Sequence, residues 1–160
     1  MNKRDILQLI ITKLEADLDV AQRAAQTAYE TATHEENIAE NKYDTLGLEA
    51  SYLAAGQARR VEEIRQSLVL YQKLISVPFT ESKGIQTGDL ITLENHLGVE
   101  QCLFLGPDAA GLKIQYEEHA VTVITCRAPL GQTLLGKQAG DELEIRIHGN
   151  SQTFEVTQIV

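Results

Sequence analysis

"SVPFTESKGIQTGD" (residues 76–89) is where the chain changes its period, and that change decides the fold. Before it, apolar residues recur every three or four positions; after it, they alternate. Pro78 and Gly84 mark the stretch as a linker between the two regimes.

Upstream, the first 76 residues hold no proline and only two glycines, Gly47 and Gly56. Ile10, Leu14, Leu18, Ala21, Ala25, Ala28 and Ala32 follow helical steps, as do Tyr52, Ala55, Val61, Ile64, Leu68, Tyr71 and Ile75. Two long helices are expected. Between them, "ENKYDTLGLEASYLAAGQ" (40–57) reads as a bend, with Asp44 or Thr45 able to cap a helix start and Gly47 able to turn the chain. Reflection about residue 46 sets Ala28 against Ile64 and Ala25 against Leu68, small against large, as in an antiparallel coiled coil. At about 40 residues per helix such an arm would be roughly 60 Å long, too thin to enclose a pocket. The expected organisation is a coiled-coil arm over residues 1–77 and a second domain over residues 78–160.

Downstream, β-rich segments are expected at 90–95, 99–106, 111–116, 120–126, 142–149 and 152–160. The stretch 129–142 interrupts them as a short helix or turn followed by a loop entering a strand. The fold class is α+β: a helical hairpin, then a mainly β domain.

Composition narrows the function. The chain has 160 residues, is 43% hydrophobic, and carries a formal charge of −9, which argues against gripping nucleic acid through its net field. The charge is −3 over residues 1–76 and −6 over 77–160, so basic residues are commonest in the first half. No apolar run approaches the roughly 20 residues of a membrane span, and "ILQLII" (6–11) is too short and too closely flanked by charge for a signal peptide, so a cytoplasmic location is expected. Cys102 and Cys126 lack metal-ligand spacing and read as reduced thiols. His34, His96, His119 and His148 have no nucleophile or ligand cluster beside them and read as surface histidines.

The last third carries the most specific pattern. "APLGQTLLGKQAGDELEIRIHGNSQTFEVTQI" (128–159) resembles the C-terminal domain of the bacterial Gre transcript-cleavage factors. Pro129, Leu130, Gly131, Leu134, Leu135, Gly136, Lys137, Gly140, Asp141, Glu155, Val156 and Ile159 carry the match. "VEQCLFLGPDAAG" (99–111) and the helical hairpin agree with the family in order, so the resemblance covers most of the chain. It implies a coiled-coil arm and an FKBP-like domain that docks beside the secondary channel of RNA polymerase. The arm would enter the channel, and two acidic residues at its tip would help hold a Mg²⁺ shared with the polymerase active site, so that water cleaves backtracked RNA. The chain would act as a monomer and a cofactor, not an enzyme. RNA polymerase is the implied partner, and the RNA 3′ end would be met only inside that complex.

Carried onto this sequence, the resemblance assigns Asp44 and Glu49 to cleavage and metal binding, and Pro129, Leu130 and Gly131 to polymerase docking. The tip departs from the family pattern. The family's two acids stand three apart, whereas Asp44 and Glu49 stand five apart, and an ungapped register puts Leu48 at the family's glutamate. An extra loop residue around Gly47 would let both carboxylates converge. Each acid also has an ordinary reading, Asp44 as a cap or Asx turn and Glu49 as a first-turn carboxylate favoured by the helix dipole. Glu36, Glu40 and Asp44 form an i, i+4 acidic stripe whose ordinary reading is a solvated face. Arg59, Arg60 and Arg65 either approach RNA phosphates or pair with neighbouring acids. Ala128 replaces the family's serine before the proline.

Three other readings stay open. The chain could occupy the channel without stimulating cleavage. Prolyl isomerase activity would suit an FKBP-like fold but needs an aromatic-lined pocket, and this half offers Phe79, Phe104, Tyr116 and Phe154 with no Trp. A coiled-coil adaptor would self-associate and ignore polymerase.

Overall fold

The computed structural model describes residues 1–34 and 45–160. Helix α1 spans Lys3–Thr33 and α2 spans Thr45–Lys73. Strands β1 (Leu90–Asn95), β2 (Glu100–Leu105), β3 (Lys113–Tyr116) and β4 (His119–Ile124) follow, then the short helix α3 (Pro129–Leu134), then β5 (Glu142–Ile147) and β6 (Asn150–Ile159). The α+β class and all six strands stand where alternation placed them. The helices hold 31 and 29 described residues, and the rest of the roughly 40 residues expected of each lies outside the described residues.

Contacts divide the chain into two compact units, Thr12–Val69 and Met1–Ile11 with Leu70–Val160. In the first, Leu14, Ala21 and Ala28 of α1 and Ala50, Val61, Ile64 and Leu68 of α2 are buried. Exposed i, i+4 pairs, Lys13–Asp17 and Arg23–Asp19, decorate the outer surface of α1. The register differs from the reflection about residue 46. Ala25 lines a groove with Ala54, Ala55, Ala58 and Val61, and Ala28 lines one with Ala50, Leu53 and Gln57. The reason is local: α2 already begins at Thr45, so residue 46 is helical and the midpoint between Thr33 and Thr45 is residue 39. Alanines therefore meet alanines. Three residues that spacing assigned to the apolar face are exposed: Tyr52 at 75%, Ala55, and Ile75, which lies beyond the end of α2.

The second unit is built on a six-stranded sheet in the order β3-β4-β2-β1-β6-β5, antiparallel except for the parallel pair β2–β4. Alternation buries both faces. On one, Ile91, Leu93, Leu103, Leu105, Leu143, Ile145 and Val156 form a core with Ile85 and with Leu134 of α3. On the other, Leu90, Phe104, Val121 and Val123 are fully buried, and the Tyr71 ring lies 6.4 Å from that of Phe104. Tyr71 also donates its hydroxyl hydrogen to the Asp108 carbonyl oxygen at 2.8 Å. Burial, reinforced by the Asp108 charge, pushes its pKa well above the ordinary tyrosine value. A side chain at Gly106 would collide with the Tyr71 hydroxyl, so this glycine is required by a close approach.

The start of α1 is tied to the same unit by a buried ion pair. Lys3 Nζ lies 2.7 Å from Asp89 Oδ1, and the two side chains are 6% and 5% exposed. The other Asp89 oxygen accepts the Gln86 amide at 2.7 Å. Cys102 is buried and Cys126 half-buried, both as free thiols, and burial raises the Cys102 pKa.

Candidate functional site

Two regions hold the residues singled out by the sequence. The first is the N-terminal part of α2. Thr45 opens the helix, and Gly47 lies inside it, where its carbonyl accepts the Ser51 hydroxyl at 3.0 Å. Gly47 is therefore not the bend. Glu49 is the fifth helical residue, one turn further in than a first-turn position, so the dipole reading of its carboxylate is weakened. It is exposed and makes no ion pair among the described residues. Asp44, Glu36 and Glu40 lie outside the described residues, so the Asp44–Glu49 pair has only one described member.

On the same helix, Tyr52, Gly56, Arg59 and Arg60 are exposed. Arg60 lies 3.6 Å from Glu63, a loose contact between two exposed side chains. Arg59 and Arg65 make no ion pair among the described residues, so the pairing with neighbouring acids holds for Arg60 alone.

The second region is α3. Its N-cap is Ala128, extended at φ −83° and ψ 147°, with Pro129 at the first helical position and no side-chain cap hydrogen bond. That conformation is the one a capping serine adopts, so alanine here forgoes a bond to the free amides of the first turn. Pro129 is exposed, whereas Leu130 is half-buried against the core. Gly131 is buried, and a Cβ there would overlap the Thr125 carbonyl oxygen. It is needed to let α3 rest on the backbone after β4. Of the three docking candidates, Pro129 alone is fully available, joined by Leu135, which is 42% exposed.

Carboxylate oxygens of the Glu49 kind suit Mg²⁺, which takes hard oxygen ligands and often only one or two from protein. Among the described residues no three His, Cys, Asp or Glu side chains gather to hold a metal ion. A single carboxylate of this kind would leave most of a Mg²⁺ coordination sphere to be filled from elsewhere. No described helix is long and apolar enough to cross a membrane.

Comparison with known proteins agrees with the pattern in the last third. Residues 82–160 match the family model described as transcription elongation factor, GreA/GreB, C-terminal. Transcription elongation factor GreA of Rhodospirillum rubrum is 23% identical over 155 residues, covering 93% of this chain and 92% of that protein. GreA of Jannaschia sp. is 27% identical over 100 residues, covering 62% and 60%. Among solved structures, the GreA factor homolog 1 of Thermus thermophilus is 18% identical and covers 94% of each chain with a TM-score of 0.39. With residues 82–160 matched to that model and one GreA relative aligned along 93% of the chain, the C-terminal domain is that of a Gre-type transcription elongation factor of the GreA/GreB family.

Proposed function

We propose that this elongation factor acts inside RNA polymerase by placing Asp44 and Glu49 beside the polymerase active centre, where they help hold a Mg²⁺ that promotes hydrolysis of backtracked RNA. The observation that carries the reading is Glu49: an exposed carboxylate without an ion partner among the described residues, near the start of a helix in a two-helix unit. When bound, the metal supplies charge neutralisation and a lowered water pKa at the scissile phosphate. This chain's part is to present carboxylate oxygens and to leave them free of internal cations. Docking falls to the surface around Pro129 and Leu135, with Leu130 and Gly131 holding α3 on the sheet. The hydrolysis belongs to the polymerase; the factor is its cofactor, acting in the cytoplasm as a monomer.

A second reading, occupancy of the channel without cleavage, is favoured by one observation. Gly47 is helical, so the extra loop residue that would bring Asp44 and Glu49 together is not at Gly47. Convergence then depends on residues 35–44.

The test is RNA cleavage in a deliberately backtracked elongation complex with Mg²⁺, comparing wild type with Asp44→Ala/Glu49→Ala while following polymerase binding. Cleavage by wild type that disappears in the variant with binding kept supports metal delivery. Binding by wild type with no cleavage supports the occupying role.

A further inference from the structure

The sheet has two edges, and they differ in how they are guarded. β3 is four residues long, and its Tyr116 hydroxyl donates to Asp5 near the start of α1. β5 is six residues long, contains no proline, and among the described residues pairs with β6 alone, without a register shift. Shortness, proline and bulges are common guards against edge pairing, and β5 has none of them. Its remaining guard is charge, carried by the exposed Glu142, Glu144 and Arg146, and that charge is of mixed sign.

The hairpin fixes which backbone groups of β5 face outward. His148 and Gly149, with φ of 51° and 82°, form the two-residue turn that sets Ile147 opposite Asn150. The Asp141 carbonyl oxygen accepts the Val156 amide at 2.9 Å, so it points at β6. Backbone groups alternate sides along a strand, so Leu143 and Ile145 also bond toward β6. Glu142, Glu144 and Arg146 therefore turn their amides and carbonyls to the open edge.

Few registers let a second copy of β5 pair antiparallel with these outward groups. A two-fold axis at Glu144 sets Glu144 against itself, one at Arg146 sets Arg146 against itself, and one at Leu143 sets Glu142 against Glu144. An axis at Ile145 sets each Glu144 against Arg146 of the second copy and each Glu142 against its His148, so no like charges meet. The same register answers an imbalance within the chain. Glu100, Glu94, Glu155 and Glu142 stand opposite one another across β2, β1, β6 and β5, a row of like charges that ends at the open edge. Directly opposed like charges are destabilising, and Arg146 makes no ion pair among the described residues. A second copy brings an imidazole and a guanidinium to the end of that row.

We infer that β5 is a self-association edge: two copies pair antiparallel about Ile145, Glu144 of each against Arg146 of the other, and their sheets become one. An edge of six residues buries less than a standard interface, so the pair is weak, with a Kd of about 10–1,000 μM. Dilute protein stays monomeric, the form that meets polymerase. The inference goes beyond the proposed function and does not depend on it.

The test is analytical ultracentrifugation of the full chain from about 5 μM to about 1 mM, with amide hydrogen exchange read by NMR at both ends of that range. The wild type self-associates, and the Glu144 and Arg146 amides exchange more slowly at high concentration. The Leu143 and Ile145 amides, already bonded to β6, change little. Raising salt from about 0.05 to about 0.5 M weakens the association severalfold. Arg146→Glu sets like charges opposite and weakens it about 10-fold or more. The charge swap Glu144→Arg/Arg146→Glu returns it to within about 3-fold of wild type, because opposite charges meet again. Both positions are exposed, and circular dichroism melts check that each variant is folded. A wild type that stays monomeric at about 1 mM overturns the inference. So does association that Arg146→Glu leaves unchanged or that the charge swap fails to restore, since another surface or register would then be responsible.

Discussion

Replacing Lys3 with methionine isolates the buried ion pair that ties the start of α1 to the sheet unit. In the wild type, Lys3 Nζ and Asp89 Oδ1 are 2.7 Å apart, and both side chains are almost wholly removed from water. Methionine keeps the aliphatic stem of lysine and deletes only the charge. Asp89 would then keep one partner, the Gln86 amide at 2.7 Å, and one buried oxygen would have none. Removing one member of a buried pair typically costs about 3–5 kcal/mol, most of it the penalty of the stranded charge. A single domain has only about 5–15 kcal/mol in total, so the sheet unit should lose a large part of its stability.

The assay is urea unfolding followed by far-UV circular dichroism and by tyrosine fluorescence, which is free of tryptophan background because the chain has five Tyr and no Trp. The double variant Lys3→Met/Asp89→Asn supplies the control: with no charge left to strand, it should recover at least about half of the single variant's loss. A Lys3→Met variant that loses less than about 1 kcal/mol would refute the reasoning, because that is the scale of a solvent-accessible pair. It would mean that water reaches Asp89 once the first turn of α1 lets go.

Three further substitutions test other contacts. Tyr71 is neutral when buried and its pKa is raised, so the folded state holds that proton longer than the unfolded one; wild-type stability should be full below about pH 10 and fall above it. Tyr71→Phe should cost about 1 kcal/mol at neutral pH, for the lost bond to Asp108, and flatten the alkaline decline in a pH series of melts. Ala128→Ser should stabilise by about 1 kcal/mol, because the N-cap backbone is already extended and lacks a side-chain acceptor; an unchanged midpoint would mean the first-turn amides are satisfied by water. Gly131→Ala should destabilise by about 1–3 kcal/mol as α3 is pushed off the Thr125 carbonyl, and loss of polymerase binding without loss of stability would instead make Gly131 a docking residue.

Most of the fold was legible because its determinants are local. Strand signals are short-range: Leu90 through Leu93 and Cys102 through Leu105 are near-continuous apolar runs of strand length buried on both faces, and in β5 the buried Leu143 and Ile145 alternate with the exposed Glu142, Glu144 and Arg146. Register between helices is different. It depended on where the bend begins, and turn residues in 40–57 allowed a centre at 46, whereas the helical state of Thr45 through Gly47 excludes it. Tyr52 was assigned to the apolar face on spacing alone, and the later register leaves it in solvent. Lys3 and Asp89 were illegible in principle: 86 residues separate them, and each looks like an ordinary surface charge until the fold removes both from water. At the candidate site, the exposure of Glu49 could be expected from its type, but its depth within α2 could not.

The glycines offer a sharper division between fold and function than the charged residues do. Surface acids are tolerated nearly anywhere, so an exposed Glu49 is compatible with both a working and an idle carboxylate. Glycine in a regular element, by contrast, carries a known penalty and must be accounted for. Gly106 is accounted for by the Tyr71 hydroxyl and Gly131 by the Thr125 carbonyl, and substitution at either should show as lost stability. Gly56 has no such neighbour, and substitution there should show as gained stability. A chain that retains a less favourable residue where alanine fits either gives up stability for function or carries an unselected glycine, and substitution separates the two. If Gly56→Ala stabilises the chain while polymerase binding and RNA cleavage remain at wild-type levels, a functional reason fails at this position and Gly56 is an unselected accident of the helix.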